Sequence, residues 1–327
     1  MTSRVPTCDA ALSPLDAEAV WDAIGRAIGD RDLEALTPDE LVDLAQAVPP
    51  LLPPDLVRRI MEFRRRAPTG DVLLLRGLMP GHVSVPATPA SPSAPRSGSA
   101  RLAALLLLGV MGLLGEPFNY KGNYGGRLVQ NLVPVRTMEF TQTGRSSSVL
   151  LDWHVEDGFR EDRCDYIGLL CLRGDPAAAS QYAQAKDLRL PPELAATLRE
   201  PRFQMSPAPA DDLPDGMRGR RAAVLTGSVA APEIVYDSHH IAPLDEADTE
   251  AAAALRALHT RLDEIHLSHV MSPGDLLIFD NKRVVHSRTP FTARFDGTDR
   301  WLMRTMACGS TVTFRRWGGG RIVDWSV

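Results

Sequence analysis

Leu150-Leu151-Asp152-Trp153-His154-Val155-Glu156-Asp157 closes an apolar, extended run with an imidazole and a carboxylate two residues apart. In a strand, residues i and i+2 point to one face, so His154 and Glu156 project together and offer two ligands to a divalent metal. The pair alone carries little weight, because a histidine beside a strand end is commonly structural. A segment far downstream adds to it. Ser272-Pro273-Gly274-Asp275 is a turn, Leu276-Leu277-Ile278-Phe279 a buried strand, and Val284-Val285-His286-Ser287-Arg288 brings a second histidine. Fourteen residues beyond His286, after an Asp296-Gly297 turn signal, Arg300-Trp301-Leu302-Met303-Arg304 sets two arginines on one face of a further strand. Two histidines and one carboxylate form the facial triad of non-haem Fe(II) oxygenases, which leaves three metal positions open. An arginine on a neighbouring strand explains how a dicarboxylate is gripped while its other end chelates the metal.

Working outward, short β-type runs fill the second part of the chain: 128–135, 148–154, 166–172, 222–226, 276–279 and 300–306, interrupted by one long helix over 249–267. Strands so numerous and so close predict an antiparallel sandwich or barrel flanked by helices. The first third reads as helices with start signals. Ser13-Pro14 precedes Val20, Ile24 and Ile28; Thr37-Pro38-Asp39-Glu40 supplies a hydroxyl N-cap, an N1 proline and an N3 glutamate; Leu56, Ile60 and Phe63 mark a third helix. Residues 71–75 (DVLLL) read as a buried strand whose partners come later in the chain. Between positions 80 and 99, 12 of 20 residues are Pro, Ser or Gly, which predicts a mobile surface loop rather than a domain boundary. The expected organisation is one domain over 1–327, with a helical part over 1–115 and a β core over 116–327.

Composition excludes several classes. The longest uncharged apolar run, 102–114 (LAALLLLGVMGLL), is shorter than the ~20 residues of a membrane span and reads as a buried helix. The chain opens without a signal-peptide pattern, so a cytoplasmic location is expected. With 36 basic and 41 acidic residues the net charge is −5 and no dense basic stripe exists, which argues against nucleic acid. Cys8, Cys164, Cys171 and Cys308 form no CxxC pair and are expected to be reduced thiols. Only Lys121, Lys186 and Lys282 are lysine, so 33 of the 36 basic residues are arginine. GC-rich coding accounts for most of them; Arg300 and Arg304 are singled out by position.

Together GRLVQNLVP (126–134), WHVEDGF (153–159), DYIGLLCLR (165–173), PGDLLIFDN (273–281), RVVHSR (283–288) and DGTDRWLMR (296–304) carry a resemblance. From residue 125 onward the chain resembles the clavaminate synthase-like branch of the Fe(II)/2-oxoglutarate dioxygenases, and within it the amino-acid β-hydroxylases typified by asparagine oxygenase and the viomycin-pathway arginine hydroxylase. His-x-Glu in place of His-x-Asp is typical of that branch. The resemblance implies a double-stranded β-helix, a distorted jelly roll. It implies His154, Glu156 and His286 as iron ligands and Arg300 as the partner of the distal carboxylate of 2-oxoglutarate. Ser180 falls where relatives place a threonine hydroxyl on that same carboxylate. Arg304 matches the arginine that binds the substrate α-carboxylate, and Asn123 and Glu156 fall near the α-amino group. O2 and 2-oxoglutarate are the implied co-substrates, and succinate and CO2 the implied co-products.

Substrate selection in the family involves a lid near Ser146 and acidic residues before the long helix. Here that second stretch reads Tyr236-Asp237-Ser238-His239-His240. Arginine hydroxylases place two acids two residues apart; this chain keeps Asp237 and has His239 at the other position. The loss of one acid argues against a guanidinium and for a neutral polar or acidic side chain, as does Arg145 in the lid. The expected reaction is hydroxylation of C3 of a free polar L-amino acid, asparagine-like first. Alternatives within the class are an amino acid tethered to a carrier protein, and desaturation or another oxidation of a different amino acid such as arginine. A non-catalytic jelly-roll binding protein and a zinc hydrolase are the rivals from other classes. Arg300 disfavours the hydrolase, because hydrolysis needs no dicarboxylate anchor.

Overall fold

The structure, a computed structural model, describes residues 9–65, 70–207 and 219–324. Cys8 lies outside them; Cys164, Cys171 and Cys308 are buried free thiols.

The helical start signals act as read. Helix α1 (Pro14–Ile28) is capped by the Ser13 hydroxyl, which accepts the Asp16 N–H, and buries Ala17, Val20, Trp21, Ile24 and Ile28. Helix α2 (Pro38–Ala45) begins with a complete capping box between Thr37 and Glu40, and α3 (Pro54–Arg64) buries Leu56, Ile60 and Phe63. Helix α4 (Ser99–Gly112) is buried on nearly every side because it lies between α1 and α2 and the outer face of the main sheet. Gly109 belongs to that packing: a Cβ there would sit 2.8 Å from the Ala45 carbonyl oxygen and 2.4 Å from Val48 Cβ. Further on are α5 (Pro192–Arg199), α6 (Thr249–Ile265) and α7 (Thr311–Arg316).

The main sheet runs in the order β1 (Ala10–Ala11), β2 (Val72–Arg76), β14 (Leu276–Asp280), β6 (Tyr166–Arg173), β16 (Trp301–Cys308), β3 (Glu116–Tyr120), β17 (Ile322–Val323), with β4 (Gln130–Leu132) also on β16. Only β1/β2 and β3/β17 among its pairs are parallel. Facing it is a four-stranded antiparallel sheet in the order β13 (Leu267–Val270), β7 (Ala179–Gln184), β15 (Val284–Arg288), β5 (Leu151–His154). Two small sheets, β12 (Ile241–Pro243), β8 (Phe203–Met205), β9 (Arg220–Ala222) and β10 (Leu225–Gly227), β11 (Pro232–Ile234), extend the second layer.

Strand alternation sorts the cores. On β16, Trp301, Met303 and Ala307 join the core beneath the helices, while Leu302 and Met306 join the core between the sheets. Strands β6 and β14 divide the same way, with Leu169, Leu277 and Phe279 turned between the sheets. This is the mainly β jelly roll with a helical N-terminal third that the sequence predicts.

Several expected boundaries shift. The 128–135 run shrinks to β4, 222–226 splits between β9 and β10, and Arg300 lies one residue before β16. The 80–99 stretch is irregular, as its composition implies, and several of its residues are tethered to the rest of the fold. Arg173 donates to the carbonyls of Val85 (3.3 Å) and Pro86 (3.1 Å) and to the Thr88 hydroxyl. Thr88 in turn donates to the Asp299 carbonyl at 2.5 Å. The Arg96 guanidinium is buried and donates to Glu34 at 2.7 Å and to the Val129 carbonyl at 2.6 Å. These partners are distant in sequence, so local composition does not reveal them.

Candidate metal centre

On β5, Trp153 turns outward into the core under α6 and donates its indole N–H to Asp263 at 2.8 Å, so its neighbour His154 turns inward. On β15, Val285 joins that outer core and His286 turns inward. The two histidines are register partners across the antiparallel β5/β15 ladder, with ring centroids 4.2 Å apart. Phe279 stacks on His286 with an interplanar angle of 16°. One ligand atom each from His154, Glu156 and His286 lie within 4.8 Å of one another, and among the described residues this is the only group of three or more such side chains.

Their protonation suits a metal. His154 Nδ1 lies 2.7 Å from the Asp152 carbonyl oxygen. A carbonyl only accepts, so Nδ1 carries the proton and Nε2 keeps its lone pair. His286 Nδ1 is buried with no hydrogen-bond partner among the described residues. Burial above all pushes the His286 pKa well below its ordinary value, which keeps the ring neutral as ligation requires. Two imidazoles and one carboxylate fit Fe(II).

Glu156 follows the end of β5 and is fixed by Asn281. The Asn281 side chain accepts the Glu156 N–H at 2.9 Å and donates to the Glu156 carbonyl at 3.0 Å. The next residue, Asp157, adopts a left-handed φ of 52° and has a buried carboxylate oxygen, Oδ2, without a hydrogen-bond partner among the described residues. Burial, with Glu156 beside it, raises the Asp157 pKa to about 7 against the pull of Arg304, Arg160 and Arg163. The Glu156 carboxylate pairs with Arg304, whose Nε donates to Gln130 at 2.6 Å and whose guanidinium lies over the Tyr124 ring.

A cavity of about 380 Å³ opens beside these ligands between the sheets. Arg300 lines it, is buried, and makes no hydrogen bond or ion pair among the described residues. Burial draws its pKa down to about 10, while Cys171 and Asp175 act in the opposite direction. Ser180 on β7 lines the same cavity, opposite Arg288 in the β7/β15 ladder. Arg304, Asn123, Arg145, Asp237, His239 and His240 line the cavity as well.

Both acids near His239 and His240 are covered. Asp237 accepts the backbone N–H groups of His239 (2.9 Å) and His240 (3.1 Å) and lies 2.9 Å from the His240 ring nitrogen Nδ1. His239 Nε2 lies 3.4 Å from Asp152. Ser146, expected at the substrate, is not on the cavity wall. Its hydroxyl donates to the Thr143 carbonyl and accepts from Arg288, both at 2.8 Å, while 141–145 supply the lining of the lid. Other histidines are engaged elsewhere: His259 with Tyr236, His266 with Gln181, and His269 with Asp275. Sequence reading missed Asn281, Asp157 and Arg288. The first lies in the quoted DN pair, but nothing local marks its side chain as a clamp.

Residues 95–306 match the profile described as taurine catabolism dioxygenase TauD, TfdA family. The chain belongs to the TauD/TfdA dioxygenase family. This dioxygenase is 36% identical to L-asparagine oxygenase of Streptomyces coelicolor over 305 residues, 91% of this chain and 88% of that one. It is 30% identical to clavaminate synthase 2 of Streptomyces clavuligerus over 80% of this chain and 82% of the relative. Among solved structures, asparagine oxygenase in complex with Fe(II), 2S,3S-3-hydroxyasparagine and succinate superposes with a TM-score of 0.86 at 33% identity, covering 96% of this chain and 98% of that one. The non-heme iron oxygenase OrfP with Fe, succinate and (3S)-hydroxy-L-Arg gives the same TM-score at 28% identity, covering 96% and 99%. The dioxygenase is thus an Fe(II)- and 2-oxoglutarate-dependent amino-acid hydroxylase with a small-molecule substrate. No helix among the described residues is long and apolar enough to cross a membrane.

Proposed function

We propose that this dioxygenase hydroxylates C3 of a free L-amino acid with a neutral polar or acidic side chain, asparagine-like first. His154, Glu156 and His286 hold Fe(II), which when bound with 2-oxoglutarate and O2 supplies the oxidising power that inserts oxygen into a C–H bond and releases succinate and CO2. The observation that carries the reading is Arg300: a buried guanidinium without a partner among the described residues, in the same cavity as the ligand triad. A buried unpaired charge is costly, and the distal carboxylate of 2-oxoglutarate removes that cost with a two-pronged contact. Ser180 adds a hydroxyl donor to the same carboxylate.

Arg304 then reads the substrate α-carboxylate, with Asn123 and Glu156 toward the α-amino group. Such a fork fixes Cα, and the orientation so imposed decides which C–H bond is presented. A carrier-bound amino acid has a thioester in place of that carboxylate and brings Arg304 no second anion beside Glu156, which supports a free substrate. His239 and His240 cover Asp152 and Asp237, so a cationic side chain finds no open acid on that wall, whereas an amide or carboxylate finds imidazole nitrogens and Arg145. We place the enzyme in the cytoplasm, in keeping with its buried free thiols.

Anaerobic addition of Fe(II) and 2-oxoglutarate should give a weak visible charge-transfer band, followed in air by amino-acid-dependent succinate formation. If His154→Ala and Arg300→Ala both leave the band unchanged, the site is wrong. If lysine or arginine supports faster turnover than asparagine or aspartate, the substrate class is wrong.

A further inference from the structure

Arg288 is the last residue of β15, two beyond His286 and on the same inward face. Its guanidinium is buried and lines the cavity. Every hydrogen bond it makes goes to a neutral acceptor. Nη2 donates to Ser146 Oγ at 2.8 Å and to the Val149 carbonyl at 3.3 Å; Nη1 donates to the carbonyls of Ser147 (3.1 Å) and Thr289 (3.3 Å). Three of these acceptors belong to the 139–149 segment, whose residues 141–145 form one wall of the cavity mouth. That segment is closed on itself by Glu139, which accepts the N–H groups of Ser147 and Ser148 and the Ser148 hydroxyl. Arg288 therefore joins a compact loop to the strand that carries an iron ligand.

Arg300 lines the same cavity, and neither guanidinium has a carboxylate against it among the described residues. Two like charges in one poorly solvated space repel, and both are permanent at working pH. An anion on Arg300 offsets that repulsion, so the fork of Arg288 is held more firmly on the loop once the anion has bound.

We infer that Arg288 is a positioning residue that couples occupancy of the co-substrate's carboxylate site at Arg300 to the hold on the 139–149 loop over the cavity mouth. The inference rests on the assignment of Arg300 to 2-oxoglutarate made above. Coupling is reciprocal: the anion tightens the loop, and a tightened loop tightens the anion. Amino-acid substrate then meets a finished wall only after the co-substrate has arrived.

The test uses the full chain under anaerobic Fe(II), with 2-oxoglutarate as the probe. Its affinity is read from the charge-transfer band, and hydrogen exchange over 139–149 is followed by mass spectrometry with and without it. In the wild type, 2-oxoglutarate should slow exchange of the loop. In Arg288→Gln the affinity should fall about tenfold and the slowing should vanish, while iron affinity stays at the wild-type level. Arg288→Lys, which keeps the charge but not the fork, should fall between the two and guards against a folding defect in the first variant. If Arg288→Gln exchanges faster but keeps full affinity and full slowing by 2-oxoglutarate, Arg288 is only a structural staple and the inference is overturned. If the wild type gives no band, the reading of Arg300 falls as well; a normal wild-type band with an unaltered variant sinks the coupling alone.

Discussion

Asn281 holds Glu156 by both of its backbone groups, accepting its N–H at 2.9 Å and donating to its carbonyl at 3.0 Å. The carboxylate ligand lies beyond the end of its strand, where no ladder bond fixes it, and the asparagine at the end of β14 supplies what the ladder does not. Asn281→Ala should lower iron affinity roughly 10–100-fold, the usual penalty for loss of a group that orients a ligand. It should also cost about 1–3 kcal/mol of stability through the buried backbone groups left unpaired. Anaerobic Fe(II) titration and urea unfolding read the two effects; an unchanged iron affinity counts against the clamp.

Arg304 is engaged by Glu156, Gln130 and Tyr124 at once, a geometry that needs a planar fork. Arg304→Lys keeps the charge and loses the fork. The amino-acid KM should rise roughly 30–150-fold, in line with a loss of about 2–3 kcal/mol at a charged contact, with 2-oxoglutarate affinity close to wild type. A rise confined to the 2-oxoglutarate KM would exchange the roles of the two arginines.

His240→Asp exposes a second acid beside Asp237 and removes the imidazole that covers it. Turnover of lysine or ornithine relative to asparagine should rise by about tenfold, the equivalent of ~1.4 kcal/mol of differential binding. Coupled succinate release across an amino-acid panel measures it. An unchanged ranking would mean that this wall does not meet the side chain.

Glu34 joins the helical layer to the β core through Arg96 and Arg127. Burial alone would raise its pKa, but the Arg96 charge and backbone N–H, with Arg127, hold it below the ordinary 4.5. A carboxyl whose folded pKa is lowered stabilises fully above its unfolded pKa and loses that contribution as pH falls through the folded value. Glu34→Gln should therefore cost about 1–3 kcal/mol at pH 7, and the gap to wild type should narrow below pH 4.5. Equal gaps at neutral and acid pH in chemical unfolding would contradict this.

The helices were legible because their caps are local: Ser13, Thr37 and Glu40 make the bonds their spacing implies. Central strands of the main sheet were legible as continuous apolar runs, since both faces of β6 and β14 are covered. Strand β7 (ASQYAQ) was not, because its Ser180 side faces the cavity and its alternation is weak. The same contrast divides the site. His154, Glu156 and His286 carry their chemistry in residue type and spacing, whereas Arg288 is one arginine among 33 and Asn281 one polar residue after a strand. Their roles come from partners more than a hundred positions away. The tethers of 80–99 escape local reading for that reason too, since Arg173 and Asp299 supply them.

Arg300 and Arg304 sit on one face of one extended segment, four residues and therefore ~13 Å apart. A strand is a ruler that loops cannot stretch, and inserting one residue between the two would turn one of them toward Met303 and the helical layer. On the proposed assignment of the two arginines, the grip on the co-substrate and the grip on the amino-acid backbone are therefore spaced as a unit. Redesign of this enzyme for other side chains has its freedom at the rim, in 139–149 and the turn at 237–240, where a residue can be exchanged without moving either arginine.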